Sequence, residues 1–358
     1  KHLTKHTNWC CVKLLRASNM EFQNKIENYK SIDEILGNEE GRYFGHGFKK
    51  VKYLIHNVII ELPLRIFKAS ADILYPVDWS QKRKQENIKP HLSSIDLVFL
   101  NCHLIEIIAN SCFSLNEEEK ERILFRKIEI KTDSLPQESL INIPIEVKSF
   151  KIYKDVNGFY KNCADLEVVI GGMRLFNIIE FDGCEKKGGC YVKDSIHERI
   201  LLPYSLECLK SCDFSRMHLF NEISLDLQRK NITAKFMIKC DSKEEIKFLT
   251  PIESIIASAQ LAQALIYRLD NLNRVESDTL WMRNISMETL TLFKDTDKIS
   301  VEVRIKKDKS IRVNGEVWRI YKVLAQFAST RGIFTVAHKM PINHNMVIFN
   351  DKIVIETK

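Results

Sequence analysis

The sequence predicts an α+β protein in which one structural plan is laid down twice along a single chain. Three observations carry this. At a constant spacing of 157 residues, Ile95-Asp96-Leu97-Val98 matches Ile252-Glu253-Ser254-Ile255, Leu104 matches Leu261 and Ile108 matches Leu265. The same spacing continues without a gap to Arg126-Lys127-Ile128 against Arg283-Asn284-Ile285. In both stretches a long apolar helix pattern with an acid in its first turn precedes a strand pattern with an arginine in it. A period of this length is not that of a solenoid of short units; it implies a pseudo-dimer within one polypeptide.

In the first copy, Ser31 to Gly37 reads as a short helix, with Ser31 as N-cap, Glu34 at the capping-box position and Gly37 as terminator. Gly41-Arg-Tyr-Phe-Gly-His-Gly47 is a loop able to touch a ligand or simply to turn, and with no helix after it this is not a phosphate-binding loop. Strands are expected over 50–60 and 65–75. Pro90 disfavours helix at Lys89, and Ser93 or Ser94 can cap the helix that follows. Its residues Ile95, Val98, Phe99, Cys102, Leu104, Ile105 and Ile108 are apolar around most of the circumference, as in a helix buried on most sides. Strands follow at 123–131, 143–153, 160–170 and 174–181, the last two joined at Gly171-Gly172.

The second copy keeps this order. Residues 222–240 are strand-rich, Thr250-Pro251-Ile252-Glu253 opens a helix running to about Leu269, and strands are expected at 279–287, 299–306, 316–327 and 333–339. Val313-Asn-Gly315 and Arg331-Gly332 read as turns. One helix wrapped by a curved antiparallel sheet is the hotdog arrangement, so the expected fold is a duplicated hotdog. The expected divisions are an N-terminal extension (1–30), a first half (31–185), a cysteine-containing connector (186–221) and a second half (222–358). Residues 1–19 read as a tag or an over-extended start before Met20, with a basic arm as the alternative.

With 45% hydrophobic and 28% charged residues in 358, composition is that of globular domains with cores of their own. The densest apolar run, 95–108, is interrupted by Asp96, Asn101, His103 and Glu106, which argues against a membrane span. Lys1, Lys5, Lys13 and Arg16 account for four of the seven net positive charges, and no aromatic-interleaved basic patch accompanies the rest, so nucleic acid is not an expected partner. Ten cysteines without a secretory signal point to reduced thiols and a cytoplasmic protein. Cys184, Cys190, Cys208 and Cys212 do not have the tight spacing of a structural zinc site, and no metal or cofactor is expected.

Gly41-Arg-Tyr-Phe-Gly-His-Gly-Phe, Pro90-His-Leu-Ser-Ser-Ile-Asp, Ala259-Gln-Leu-Ala-Gln-Ala-Leu-Ile-Tyr and Ser277-Asp-Thr-Leu-Trp-Met-Arg resemble segments of the bacterial avirulence protein D family over roughly residues 30–345. That resemblance implies an enzyme of syringolide-type biosynthesis, joining a β-ketoacyl or fatty acyl group from a thioester carrier to a xylulose-like sugar hydroxyl. The order of elements is also similar to that of the A-factor synthase family, on a duplicated hotdog fold. The implied donor is an acyl carrier protein or coenzyme A thioester and the acceptor a sugar, with a monomeric pseudo-dimer or a homodimer as the assembly. The pattern of hotdog dehydratases, a histidine before a Pro-Gly step into the helix, is replaced here by His91 followed by Ser93-Ser94.

In a hotdog pair, unpaired N–H groups at a helix start can polarise a thioester carbonyl. Asp96 and Glu253, at equivalent first-turn positions, are candidate general bases, with Glu253 preferred; each could equally serve only as a cap that complements the helix dipole. His91 is a further acid–base candidate and Arg283 an oxyanion-binding one. Arg126, Gln260, Trp281, Ser94 and His46 are substrate-binding candidates, whereas Gln263 is expected on a solvated face. Small residues on the second helix against Phe99, Ile105 and Ile107 on the first predict one open and one filled tunnel, hence one working site per chain. A thioesterase, a dehydratase or a non-catalytic acyl-binding module are the alternatives.

Overall fold

A computed structural model describes residues 26–61, 66–80, 89–132, 136–154, 160, 162–185, 200–201, 216–240, 249–275, 277–293, 299–341, 346–349 and 352–355. The chain enters with strand β1 (Ile26–Tyr29) and a single turn of helix, α1 (Asp33–Leu36), capped by Gly37 at φ 79°. Strands β2 (Lys52–Glu61) and β3 (Ile66–Leu74) lead to the long helix α2 (Ser94–Cys112). After β4 (Phe113–Ser114) and α3 (Glu117–Glu121) come β5 (Leu124–Lys131), β6 (Ile143–Tyr153), β7 (Asn162–Ile170) and β8 (Met173–Phe181). Two-residue strands β9 (Cys184–Glu185) and β10 (Ile200–Leu201) precede β11 (Arg216–Asp226) and β12 (Asn231–Cys240). The second long helix, α4 (Pro251–Leu269), is followed by β13 (Trp281–Thr289), β14 (Ile299–Val313), β15 (Glu316–Phe327) and β16 (Thr330–Lys339), then the hairpin β17 (Met346–Phe349) and β18 (Lys352–Ile355).

Fourteen of these strands form one antiparallel sheet in the order β1-β11-β12-β14-β15-β16-β13-β5-β8-β7-β6-β3-β2-β10. The order reads the same from both ends once the halves are matched, with seven strands on each side of the β13–β5 seam. The 157-residue spacing is kept by structure as well as by sequence: α2 and α4 begin and end 157 residues apart, and so do the ends of β7 and β15. At the seam Glu129 lies opposite Ser286, residues that are themselves 157 apart. A twofold axis through that pair would exchange the halves. Even the irregularities agree, because the register shifts at Phe125/Lys127 and at Met282/Asn284 make Arg126 and Arg283 matching bulge residues.

Each sheet half is antiparallel and alternates inward apolar and outward polar residues, as in β14 (Ile299, Val301, Val303 and Ile305 buried; Ser300, Glu302 and Arg304 exposed). The helix α4 packs on β12, β14 and β15 and against α2, a large antiparallel sheet around central helices as in the hotdog fold. Burying a Leu or Ile from such a helix contributes roughly 1.5–3 kcal/mol, and α2 buries Ile95, Leu97, Val98, Leu100, Leu104, Ile105 and Ile108. This helix is long and apolar enough to cross a membrane by length and composition, but its most apolar window is 78% buried inside the fold. The buried Asp96, Asn101, His103 and Glu106 are the polar residues that interrupt its pattern.

Three features differ from the sequence expectation. The turn expected at Arg331-Gly332 lies inside β16; the chain turns instead at Ala328-Ser329, with Ala328 at φ 49°. Gly332 is needed because a side chain there would meet the Phe334 ring at 2.7 Å. Strand β1, in the segment read as an N-terminal extension, completes the outer edge of the second half through Ile26–Tyr29 against Ile223–Asp226. Of the connector, β10 lies on β2 and β11 already begins at Arg216, while Cys190, Cys208 and Cys212 fall outside the described residues.

The core also makes stability depend on pH. Both ring nitrogens of His103 and of His218 are buried without a hydrogen-bond partner, and burial pushes both imidazoles down to about 3. In the unfolded chain a histidine titrates near 6.5, so between there and about 3 the unfolded state binds protons that the fold refuses. Stability is therefore present above this window and lost as pH falls into it. Asp96 and Glu253, whose pKa values are raised by burial, act in the opposite sense. The informative quantity is thus a difference between proteins: His103→Leu is expected to remove about 1 kcal/mol of the stability lost between pH 7 and pH 5.5. Urea unfolding of both proteins at the two pH values measures it, and parallel losses would overturn the assignment.

Candidate active site

The two helix starts are built alike. Ser93 Oγ accepts the Asp96 N–H at 3.2 Å while the Asp96 carboxylate accepts the Ser93 N–H at 2.7 Å. Thr250 and Glu253 form the same reciprocal pair at 3.4 and 2.8 Å, with Pro251 in the first turn. Capping is therefore a job that both acids do, and what separates them is the rest of their surroundings.

Asp96 is fully buried and held by neutral hydroxyls. Tyr53 donates to Oδ1 at 2.7 Å, Tyr75 to Oδ2 at 2.5 Å, and Tyr43 stands 3.4 Å from Oδ1. Burial raises the Asp96 pKa, opposed by the Tyr75 and Tyr53 hydrogen bonds. Glu253, 1% exposed, is instead neutralised: Arg216 Nη1 donates to its Oε1 at 2.6 Å, so the Arg216 charge opposes the upward push of burial.

Among the described residues, the start of α2 opens onto a large cavity. Its empty volume, including the mouth, is about 1260 Å³, and Leu92, Ser93 and Ser94 at the start of α2 form part of its wall. The opposite wall is the middle of α4, through Ala259, Ala262, Gln263 and Ile266, and a third side is the start of β13, through Trp281, Met282 and Arg283. The corresponding place at α4 is lined by Leu249, Thr250 and Pro251 with Leu124 and Phe125, each 157 residues from a residue of the large cavity, and encloses about 370 Å³. Of the α4 wall positions, Ala259 and Ala262 correspond to the larger Cys102 and Ile105 of α2, and Ile266 to the smaller Ala109.

Tyr43 links the carboxylate to the cavity. Its ring is part of the wall, its hydroxyl is 2.7 Å from Ser93 Oγ and 3.3 Å from that of Tyr75, and Asp96 lies directly behind. A proton accepted from a ligand hydroxyl can pass through Ser93 or Tyr43 to Asp96. The first N–H groups of α2, which have no intrahelical partner, lie at the same place. The arrangement places a carboxylate with a raised pKa close to the positive end of a helix.

Apart from Asp96, which stands behind the wall, the residues singled out in the sequence divide into two groups. His91, Ser94, Trp281 and Arg283 line the cavity together, the His91 and Trp281 rings 4.8 Å apart and the His91 pKa lowered by burial. Glu253, Arg126, Gln260 and His46 lie away from its wall. Arg126 is bound by Glu180 at 2.8 and 2.6 Å and by the carbonyls of Thr289 and Leu290, and it joins the two halves. At the residue equivalent to Glu180, 157 positions on, the second half has Ala337. Gln260 is buried and accepts from Arg42 Nη1 at 2.5 Å, and His46 Nδ1 lies 2.7 Å from Glu40. Gln263 corrects the expectation of a solvated residue: it lines the cavity and donates to Tyr267 at 3.1 Å.

Sequence reasoning passed over Arg42, Tyr43, Tyr53, Tyr75 and Arg274. A signal for the first two was present in the glycine cluster 41–47, which was read for its histidine. The glycines serve packing: a side chain at Gly47 would lie 1.8 Å from the Trp79 carbonyl oxygen, and one at Gly45 would lie 2.3 Å from that of Glu39. Close packing of this turn puts Arg42, Tyr43 and Phe44 on the cavity wall. Among the described residues no group of three or more His, Cys, Asp or Glu is arranged to hold a metal ion.

Comparisons with known proteins agree with the segments quoted from the sequence. No curated protein matches the chain by sequence. Solved structures similar to it include the 12:0-ACP thioesterase from Umbellularia californica (7% identity, 76% of this chain and 93% of that one, TM-score 0.38). A conserved protein of unknown function with a hotdog fold from Alicyclobacillus acidocaldarius is 10% identical over 77% and 93% of the two chains, with a TM-score of 0.34. An acyl-ACP thioesterase from Bacteroides thetaiotaomicron is 11% identical over 81% and 99%, with a TM-score of 0.35. The family model described as Pseudomonas avirulence D protein matches residues 27–341, from β1 to the end of β16 and so across both helices and the whole cavity wall. The chain belongs to the avirulence D protein (AvrD) family.

Proposed function

We propose that this protein is an acyltransferase that passes a β-ketoacyl or fatty acyl group from a thioester carrier to a hydroxyl of a small sugar-like acceptor. We further propose that its halves arose by duplication and that one active site per chain survives, at the start of α2. The observation that carries the reading is the cavity itself: an apolar tunnel ending at a helix N-terminus, with Asp96 held behind Tyr43 and Ser93. Family membership supports the same reaction class.

In this reading the acyl chain lies along Ala259, Ala262 and Ile266, and its carbonyl oxygen faces the first N–H groups of α2. The acceptor hydroxyl gives its proton through Tyr43 or Ser93 to Asp96 as its oxygen bonds to the carbonyl carbon; the tetrahedral species then expels the carrier thiolate, which leaves as the thiol on taking up a proton. Binding geometry and electrostatics supply most of the rate, as direct transfer without a covalent enzyme intermediate requires. The carrier is an acyl carrier protein or coenzyme A.

The test is product analysis by mass spectrometry of purified protein given a β-ketoacyl thioester with and without D-xylulose. An acyl-sugar product, or the lactone formed from it, is expected only with the sugar present. Free acid released at the same rate whether or not sugar is added would make the protein a thioesterase, loss of water would make it a dehydratase, and binding without turnover an acyl-binding module.

A further inference from the structure

We infer that the tip of the β14–β15 hairpin docks the protein on an anionic phospholipid surface, its end entering the headgroup layer and its lysines meeting the lipid phosphates. This does not depend on the acyl-transfer reading. Residues 304–322 carry seven basic and two acidic side chains, a net +5 in a chain whose total is +7. Since residues 1–19 hold a further +4, everything outside these two stretches is net negative. Both acids of the hairpin are engaged, Asp308 by Lys230 at 2.7 Å and Arg319 at 3.2 Å, and Glu316 by Lys339. Lys306, Lys307, Lys309, Arg312 and Lys322 are exposed, and among the described residues no ion pair joins any of them to a carboxylate.

Topology leaves this stretch as a two-stranded ribbon beyond the body of the sheet. β12 pairs with β14 as far as Arg304, and β16 pairs with β15 from Trp318 onward, so the tip past these residues is held by the β14–β15 pairing. Asn314 and Gly315 close it at φ 51° and 81°, the paired positive angles of a tight hairpin turn, and nothing lies within 4 Å of the place a Gly315 side chain would take.

Cross-strand pairs sort the side chains by face and by depth. On the outer face Ile311 lies opposite Trp318, Lys309 opposite Ile320 and Lys307 opposite Lys322, with Val313 and Glu316 outermost. On the inner face Tyr321 is buried and Val317 packs on the core, whereas Ile311, Trp318 and Ile320 stand apart from that core and Val313 is 44% exposed. From the tip inward the outer face therefore runs from valine through isoleucine and tryptophan to lysines. This is the order of a bilayer interface, where apolar groups enter the acyl boundary, indoles sit at headgroup level and ammonium groups meet the phosphates. Trp318 meets Ile311 and Lys339 only through strand pairing, so linear spacing conceals the patch. Lysines on a free strand edge commonly guard against edge pairing, but that leaves Val313, Ile311 and Trp318 unexplained. The grading by depth favours a bilayer over an acidic protein, whose surface has no such layering, and a single indole is no stacking platform for nucleic acid.

Co-sedimentation of the full chain with vesicles tests this. Binding is expected to phosphatidylcholine vesicles containing phosphatidylglycerol, to weaken steeply with added salt, and to be at least about tenfold weaker on phosphatidylcholine alone. Lys307→Glu combined with Lys309→Glu should weaken it at least about tenfold, and Val313→Ser, which leaves the charge untouched, should weaken it a few fold. Tryptophan emission should shift to the blue on the vesicles, and Trp318→Phe should remove the shift. A shift that survives in Trp318→Phe would overturn insertion of the tip. Binding unaltered by all the hairpin changes would overturn the docking element and move the attraction to other basic residues, such as Lys1, Lys5, Lys13 and Arg16. Failure to bind vesicles, with an acyl carrier protein held by the unmodified protein and not by the lysine variant, would overturn the bilayer and give the ribbon to an acidic protein; failure to bind either would overturn the surface altogether.

Discussion

Asp96→Asn is expected to lower turnover by about 10²–10⁴-fold, the usual worth of a positioned general base, while the protein stays folded. Asparagine keeps an oxygen for the Ser93 N–H and leaves the tyrosine hydroxyls partners, but it cannot accept the acceptor's proton. The matching change at the equivalent position, Glu253→Gln, is expected to have the reverse profile. It leaves Arg216 buried beside a neutral amide, at a cost of roughly 3–5 kcal/mol for breaking a buried pair, yet removes nothing from the cavity wall. Turnover per folded molecule should therefore change by no more than a few fold. Urea midpoints and single-turnover rates on the two variants separate the roles. If Asp96→Asn retained full turnover while folded Glu253→Gln lost it, the assignment would be reversed. The pH profile gives a second reading: because burial holds the Asp96 pKa above the usual carboxylate range, the rate should fall as pH drops into that raised range, and Asp96→Asn should abolish this limb.

The twofold repeat of the elements was legible in sequence because it is written in features with local causes. Capping boxes at Ser93–Asp96 and Thr250–Glu253, apolar helix faces and alternating strands are set by neighbours a few residues apart, and a constant offset survives wherever no loop has changed length. The different surroundings of the two acids were not legible. They depend on partners from other elements: Tyr43, Tyr53 and Tyr75 reach Asp96 across 53, 43 and 21 residues, and Arg216 reaches Glu253 across 37. Equal local patterns therefore concealed unequal electrostatics. The arginines show the same limit, since Arg126 and Arg283 occupy matching bulges but Glu180 faces one and Ala337 stands at the matching place for the other. At Arg331-Gly332 the local turn signal was overridden by packing of Gly332 on Phe334.

Filling the open tunnel is expected to remove long-chain activity without unfolding the protein. Ala262, 6% exposed, lies on the cavity wall where the first helix has Ile105. Ala262→Ile thus copies into α4 the residue that α2 already carries in its own half, where the corresponding space is about 370 Å³ rather than 1260 Å³. Because the added carbons enter empty volume rather than a packed core, the strain should lie at or below the low end of the roughly 1–3 kcal/mol typical of overpacking. Thermal unfolding should shift by only a few degrees. Acyl donors long enough to reach past the helix start should lose at least about tenfold in kcat/KM, while a short donor, whose carbonyl still meets the start of α2, should lose much less. The reciprocal change, Ile105→Ala, should cost about 2–5 kcal/mol by leaving a void in a filled core and should create no second activity, because Glu253 at that site remains paired with Arg216. A chain-length series on both variants decides the matter: equal losses for short and long donors in Ala262→Ile would mean that the acyl chain does not lie along α4, and a gain of turnover in Ile105→Ala would mean that the second site was closed by volume alone.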